Sequence, residues 1–288
     1  MESAPTTSSE QYDLRTDVEG RRWYHVIDLP GGVTTPGWFD VRRTVGHVPM
    51  PASLAGKRCL DVGTWDGFWA FEMEKRGAAE VVAVDIQDQE RWDWPPEMRV
   101  TGAHRKGLDA LEEFREGNTA FDVARAALGS GVQRRDLTVY EISPETLDGT
   151  FDFVFLGSLL LHLRDPVGAL SALRTVVGGE AVIADTVEAI PSYLRPRTPT
   201  ARLEGRRRPW WWQPNRAALL QMIKSAGFEL IETTGVYYLP LGDGHPKADR
   251  RRLIGNALRS PHGREELIIN LRGIPHVAAR VRPIAPVG

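Results

Sequence analysis

Two glycines and one aspartate carry the clearest chemistry in the chain. In Asp61-Val62-Gly63-Thr64-Trp65-Asp66-Gly67, Gly63 falls where the backbone must leave a short apolar run sharply. Gly67 falls in the first turn of the helical pattern that follows. A side chain at either place would obstruct a ligand or block helix–strand packing. Asp85 ends the next apolar run, where a carboxylate can accept hydrogen bonds from both hydroxyls of a ribose. The pattern points to a nucleotide-type ligand held at a strand–turn–helix corner. The competing reading is a doubly wound domain whose turn is simply tight. His162, within Gly157-Ser158-Leu159-Leu160-Leu161-His162-Leu163-Arg164-Asp165-Pro166, is the best-placed titratable group. It follows the most apolar run, and an imidazole of near-neutral pKa suits removal of a proton from a hydroxyl or amine. The same H-x-x-D-P turn can instead be structural, with the histidine bonding backbone and Pro166 opening a helix.

These residues need a frame, and the periodicity supplies one. Cys59 to Val62 reads as a buried strand, Asp66 to Arg76 as a helix and Glu80 to Val84 as a second strand: one βαβ unit. Helical patterns follow at Leu108 to Phe114 and Ala120 to Leu128. Leu137 to Ile142 reads as a third strand, and Phe151 to Leu156 as a fourth, apolar enough to be buried on both faces. A helix over Val167 to Val177, ended by Gly178-Gly179, precedes a fifth strand, Glu180 to Asp185. Asn215 is placed to cap a helix over Arg216 to Ala226. Phe228 to Thr233 and Val236 to Leu239 read as a sixth strand interrupted near Gly235, and Ile274 to Pro283 as the last.

With 288 residues the chain can bury one full α/β core with additions. The expected layout is a polar tail over 1–18 and a single domain over 19–288. That domain has a leading segment at 19–50 and insertions at 186–213 and 241–270. The formal charge of −2 implies no global attraction to nucleic acid. The lone cysteine, Cys59, cannot form an internal disulfide, which fits a reducing cytoplasm. No apolar span is long enough for a transmembrane helix, and no cluster of metal ligands stands out. A pyrophosphate cofactor would prefer a fuller G-x-G-x-x-G, whereas Trp65 occupies the middle position here.

Taken together, IDLPGG…TPGW, LDVGTWDGFWAFE, FDFVF-GSLLLHLRDP and WWQPN..ALLQMIKSAGF resemble class I S-adenosylmethionine (SAM) methyltransferases. The similarity is to the branch containing the tRNA wobble-uridine enzymes that finish 5-methoxy- or 5-carboxymethoxyuridine. It covers roughly Trp23 to Leu239 and the final strand. The resemblance implies a Rossmann-like α/β fold: a seven-stranded, mostly parallel sheet whose antiparallel last strand lies between the fifth and sixth. It implies SAM as cofactor. The contacts expected are Asp61, Gly63, Thr64, Trp65 and Gly67 of the turn, Asp85 and Ile86 at the ribose, Glu141 and Ile142 at the adenine, and Gly157 after the fourth strand. Trp92 or Trp94 is a candidate to stack on adenine, or only to pack its own loop. The segment before the first strand is expected to act as a lid, making His25, with His162, a catalytic candidate. Trp38 and Arg42 become substrate candidates, joined by Arg207 and Trp211 of the long Arg- and Trp-rich connection. Each has a plainer alternative, as a pin for the arm or a solvated loop.

One departure bears on cofactor choice. Relatives using carboxy-SAM place a tyrosine just before the histidine of the post-fourth-strand turn, and this chain has Leu161 there. Ordinary SAM is therefore expected. The expected reaction is O-methylation of a small molecule such as a secondary metabolite. The alternatives are methylation of a tRNA wobble uridine, using basic surface from Arg206–Arg208 and Arg250–Arg252, and a SAM-binding partner subunit without catalysis.

Overall fold

The computed structural model describes residues 14–105, 119–206, 209–246 and 249–285. The helix expected over Leu108 to Phe114 lies outside them. The central sheet is built from β1 (Arg58–Val62), β2 (Glu80–Asp85), β3 (Gln133–Asp136), β4 (Phe151–Gly157), β5 (Val177–Thr186), β6 (Phe228–Thr233), β7 (Tyr237–Leu239) and β8 (Ile274–Pro283). Its order is β6-β8-β5-β4-β1-β2-β3, with β7 also paired to β8. Strands β3, β2, β1, β4 and β5 run parallel, and β8 is antiparallel to β5, β6 and β7. The expected sheet is therefore present, with the interrupted sixth strand resolved into β6 and β7.

Alternation along the strands explains why the sheet is covered on both sides. Phe153 and Phe155 of β4 face a cluster with Phe68, Trp69, Phe71 and Phe121. Val154 and Leu156 face the other way, towards Leu170 and Leu173 of the helix Pro166–Val176 and Leu219 and Ile223 of the helix Arg216–Ser225. Asn215 caps the latter, its side chain accepting the Ala218 N–H. Asp165 caps the former, which starts at Pro166.

Three local expectations shift. Gly178-Gly179 does not end a helix but lies within β5, which follows the helix directly. A Cβ on Gly179 would sit 2.3 Å from the Asp152 carbonyl oxygen, so close strand approach explains that glycine. The third strand is Gln133–Asp136, wholly before the expected Leu137 to Ile142, where Val139–Glu141 forms a 3₁₀ turn instead. Thr138 and Glu141 make a reciprocal capping box there, which bends the chain out of the sheet. Within the expected polar tail, Leu14–Glu19 is helical; Val18 is buried, and its carbonyl accepts the Trp23 indole N–H.

Candidate active site

A cavity of ≈ 510 Å³ opens at the carboxyl edge of the sheet. Its first wall is the β1 turn and the end of β2. Gly63 adopts φ 78° and Trp65 φ 48°. The Trp65 N–H donates to Asp85 Oδ2 at 2.6 Å, and the Ile86 N–H donates to Oδ1 at 2.8 Å. Burial pushes the Asp85 pKa up, against the Trp65 N–H and the Arg134 charge, which pull it down. Each carboxylate oxygen still has a lone pair for a further donor. Gly63, Trp65, Asp85 and Ile86 all line the cavity.

Asp61, Thr64 and Gly67 stand behind this wall rather than on its surface. A Cβ on Gly67 would lie 2.5 Å from the Phe71 ring, so this glycine serves helix–core packing. Asp61 is buried, and desolvation raises its pKa to about 7.

The second wall comes from the segment after β3. Leu137, Thr138, Val139 and Tyr140 reach the cavity, and Glu141 and Ile142 do not. The Glu141 carboxylate instead accepts from Thr138 N–H and Oγ and pairs with Arg91. Ile142 is buried in the core. The early end of β3 is the physical reason, and the T-x-x-E spacing was the sequence signal for it. Trp92 and Trp94 both line the cavity and stack on each other at 5.5 Å.

The third wall joins the leading segment, β4, β5 and β8. Tyr24, His25 and Trp38 line it together with Gly157, Ser158 and His162. His25 Nδ1 donates to buried Asp66 at 2.5 Å, which fixes the ring. His162 Nδ1 donates to the Pro209 carbonyl at 2.6 Å, which leaves Nε2 as the lone-pair nitrogen of the neutral ring. Burial lowers the His162 pKa, keeping the ring neutral.

His276 carries no motif of its own in the sequence. It is buried, lines the cavity and lies on an interior strand. Because β8 runs antiparallel, its first residues reach the carboxyl edge of its neighbour, where His276 pairs with Thr186. Tyr24, Ser158, Tyr237 and the stacked Trp69–Phe155 pair also line the cavity without having been singled out.

Two substrate candidates are engaged elsewhere. Arg42 is bonded to Asp40 and Asp28 and locks the leading segment to itself. Trp211 donates its indole N–H to the Asp93 carbonyl and its backbone N–H to Leu161, while its neighbour Trp210 reaches the cavity. Arg207 lies outside the described residues.

These groups fit SAM. Asp85 offers oxygens for a ribose diol, Leu137, Val139 and Trp92 offer apolar surface for a base, and Gly63 exposes backbone where a side chain would intrude. When bound, SAM supplies a methyl group already activated by its sulfonium. Residues 41–233 match the family model described as a methyltransferase domain. A tRNA U34 carboxymethyltransferase of Pseudomonas aeruginosa (strain LESB58) is 31% identical over 186 residues, covering 63% of this chain and 48% of that protein. The Pseudomonas fluorescens (strain SBW25) protein of the same name is 27% identical over 184 residues, covering 64% and 49%. A ubiquinone biosynthesis O-methyltransferase of Aeromonas salmonicida (strain A449) is 28% identical over 204 residues, covering 66% and 70%. The chain spans about half the length of the carboxymethyltransferases it matches. The matched span contains the glycine turn, Asp85 and the end of β4, and the chain belongs to the methyltransferase domain family.

Proposed function

We propose that this enzyme transfers the SAM methyl group to an oxygen of a small, planar, largely apolar acceptor. The observation that carries the reading is the make-up of the cavity beyond Asp85. Tyr24, Trp38, Trp69, Phe155 and Tyr237 supply aromatic walls, and Ser158, His25, His162 and His276 are among the polar groups set between them, with the Arg22 guanidinium over the Trp38 ring. Aromatic faces hold planar apolar ligands and exclude water, which is most of what transfer from an activated methyl requires. We assign ribose binding to Asp85, the methionine end to Gly63 and Trp65, and the base to Leu137, Thr138 and Trp92. His162 presents a neutral-tautomer nitrogen to the acceptor space, suited to receive its proton, and the His25 ring, held by Asp66, lines the same space.

Methylation of a tRNA wobble uridine is the second reading, favoured by the names of the relatives. It asks for a continuous cationic surface. Here Arg206 is paired with Glu97 and Arg252 with Glu266, which weakens that footprint. The deciding experiment incubates the protein with methyl-labelled SAM against total tRNA and against aromatic metabolite pools. Label in the metabolite fraction is expected. Label confined to tRNA would replace the small-molecule reading, and label in neither fraction would overturn it.

A further inference from the structure

Ser158 combines an unfavourable backbone with a fully specified side chain. It follows the last residue of β4 and holds φ 52°, a left-handed conformation that a residue with a Cβ avoids. Its Oγ lies 2.9 Å from His276 Nε2. The other ring nitrogen, Nδ1, lies 3.1 Å from the Ile274 carbonyl, which can only accept, so Nδ1 carries the proton. Nε2 is then the acceptor, and the Ser158 hydroxyl must donate to it. Burial lowers the His276 pKa to about 4, so the ring stays neutral and this polarity holds at any working pH. With its one proton committed to His276, the Ser158 oxygen can offer the cavity only lone pairs. One of them is engaged in the hydrogen bond with the Tyr24 phenol, which leaves one for a ligand. The carboxylate of Asp185 fixes the following turn by accepting the Leu160 N–H at 2.7 Å. A strained residue kept in place by this much surrounding structure points to a functional constraint.

We propose that Ser158, oriented by His276, is the anchor for the acceptor's hydroxyl group: it accepts that O–H and turns the oxygen's remaining lone pairs towards the methyl position. The inference rests on the small-molecule reading above and deepens it, since it requires an acceptor that donates a hydrogen bond. Ser158 is the residue that touches the acceptor, and His276 is a positioning residue. The anchor gives the side chain a use at a position where glycine would relax the backbone. It also ties the acceptor to the end of β4 beside Gly157 and Gly63, on the wall assigned to the methionine end of the cofactor.

The test uses the full chain saturated with S-adenosylhomocysteine, and titrates 2-naphthol and naphthalene as donor and non-donor probes of one shape. Wild type is expected to bind naphthol about tenfold more tightly, the worth of one neutral hydrogen bond. Ser158→Gly and Ser158→Ala should bring the ratio close to one while leaving S-adenosylhomocysteine affinity unchanged. Ser158→Gly should melt above Ser158→Ala, because both lose the bond to His276 and only glycine relieves the backbone. His276→Phe should abolish the preference. His276→Gln, whose amide oxygen can accept the serine hydroxyl, should restore part of it; a purely structural His276 would not move the ratio in this graded way. A naphthol preference that survives in both Ser158 variants, or one lost only in His162→Gln, overturns the anchor and leaves the aromatic acceptor standing. Equal binding of both probes by wild type overturns the anchor as well. Failure of both probes to bind wild type overturns the small-molecule reading together with the anchor.

Discussion

Asp66 and His25 are joined by a 2.5 Å contact between Oδ1 and Nδ1, although 41 positions separate them in the chain. The other carboxylate oxygen accepts the backbone N–H groups of Tyr24 and His25, at 2.8 and 2.7 Å. Asp66 belongs to the glycine turn, and Tyr24 and His25 belong to the leading segment. One fully buried side chain thus fastens the segment over the acceptor space to the wall assigned to the cofactor.

Replacing Asp66 with alanine strands three donors in a buried place. Asp66→Ala should lower unfolding free energy by roughly 2–5 kcal/mol, since each unsatisfied buried partner costs about 1–3 kcal/mol. Amide exchange at Tyr24 and His25 should accelerate before the rest of the domain opens. Urea denaturation with an unchanged midpoint, and unchanged exchange at those two amides, would refute the clamp.

Asp85 shapes its own turn as well as facing the cavity. Asp85→Ala should weaken SAM binding by roughly 2–4 kcal/mol, counting two charge-assisted bonds to the ribose. Asp85→Asn should lie between wild type and alanine, because one oxygen remains. Calorimetric titration decides; wild-type affinity in the alanine variant would remove the ribose assignment.

Much of this was readable because it depends on local apolar runs. Phe151 to Leu156 cannot be solvated on either face, so a central strand follows, while the place of the last strand comes from the resemblance alone. Asn215 and Pro166 announce their helices through backbone chemistry that needs no tertiary context. What escaped depends on competition or on distance. Leu137 and Val139 look like strand residues until Thr138 and Glu141 close their box. His276 looks like an edge residue until the reversed direction of β8 carries it to the ligand end. Arg42 looks free until the fold brings Asp28 against it. Ser158 carries no side-chain signal at all, because its distinction is a backbone angle.

Cofactor choice can be tested at Leu161. In the structure its carbonyl accepts the Trp211 N–H at 2.7 Å, and its side chain does not line the cavity. It offers no hydroxyl to an additional carboxylate, which would lose hydration without gaining a donor there. Carboxy-SAM should bind no more tightly than SAM in competition. A clear win for carboxy-SAM would overturn the expectation and favour the tRNA reading.

Asp185 gives a pH dependence with a definite sign. It is buried behind the acceptor wall, and desolvation raises its pKa from 3.8 to about 7, although the backbone N–H groups of Leu160 and Thr186 oppose the shift. The unfolded chain releases this proton near 3.8 and the folded chain holds it to about 7. Between those values the folded state binds more protons, so this group's contribution to stability falls as pH rises, and is level below and above that window. At 1.36 kcal/mol per pH unit, the interval corresponds to at most about 4 kcal/mol. Asp185→Asn cannot titrate and keeps one accepting oxygen. It should be less stable than wild type at pH 4.5, where the protonated wild-type carboxyl is fully at ease. The gap should narrow or reverse by pH 8. Urea midpoints of the two proteins across that range read the difference directly, and a gap that stays constant with pH would show that Asp185 is ionised throughout.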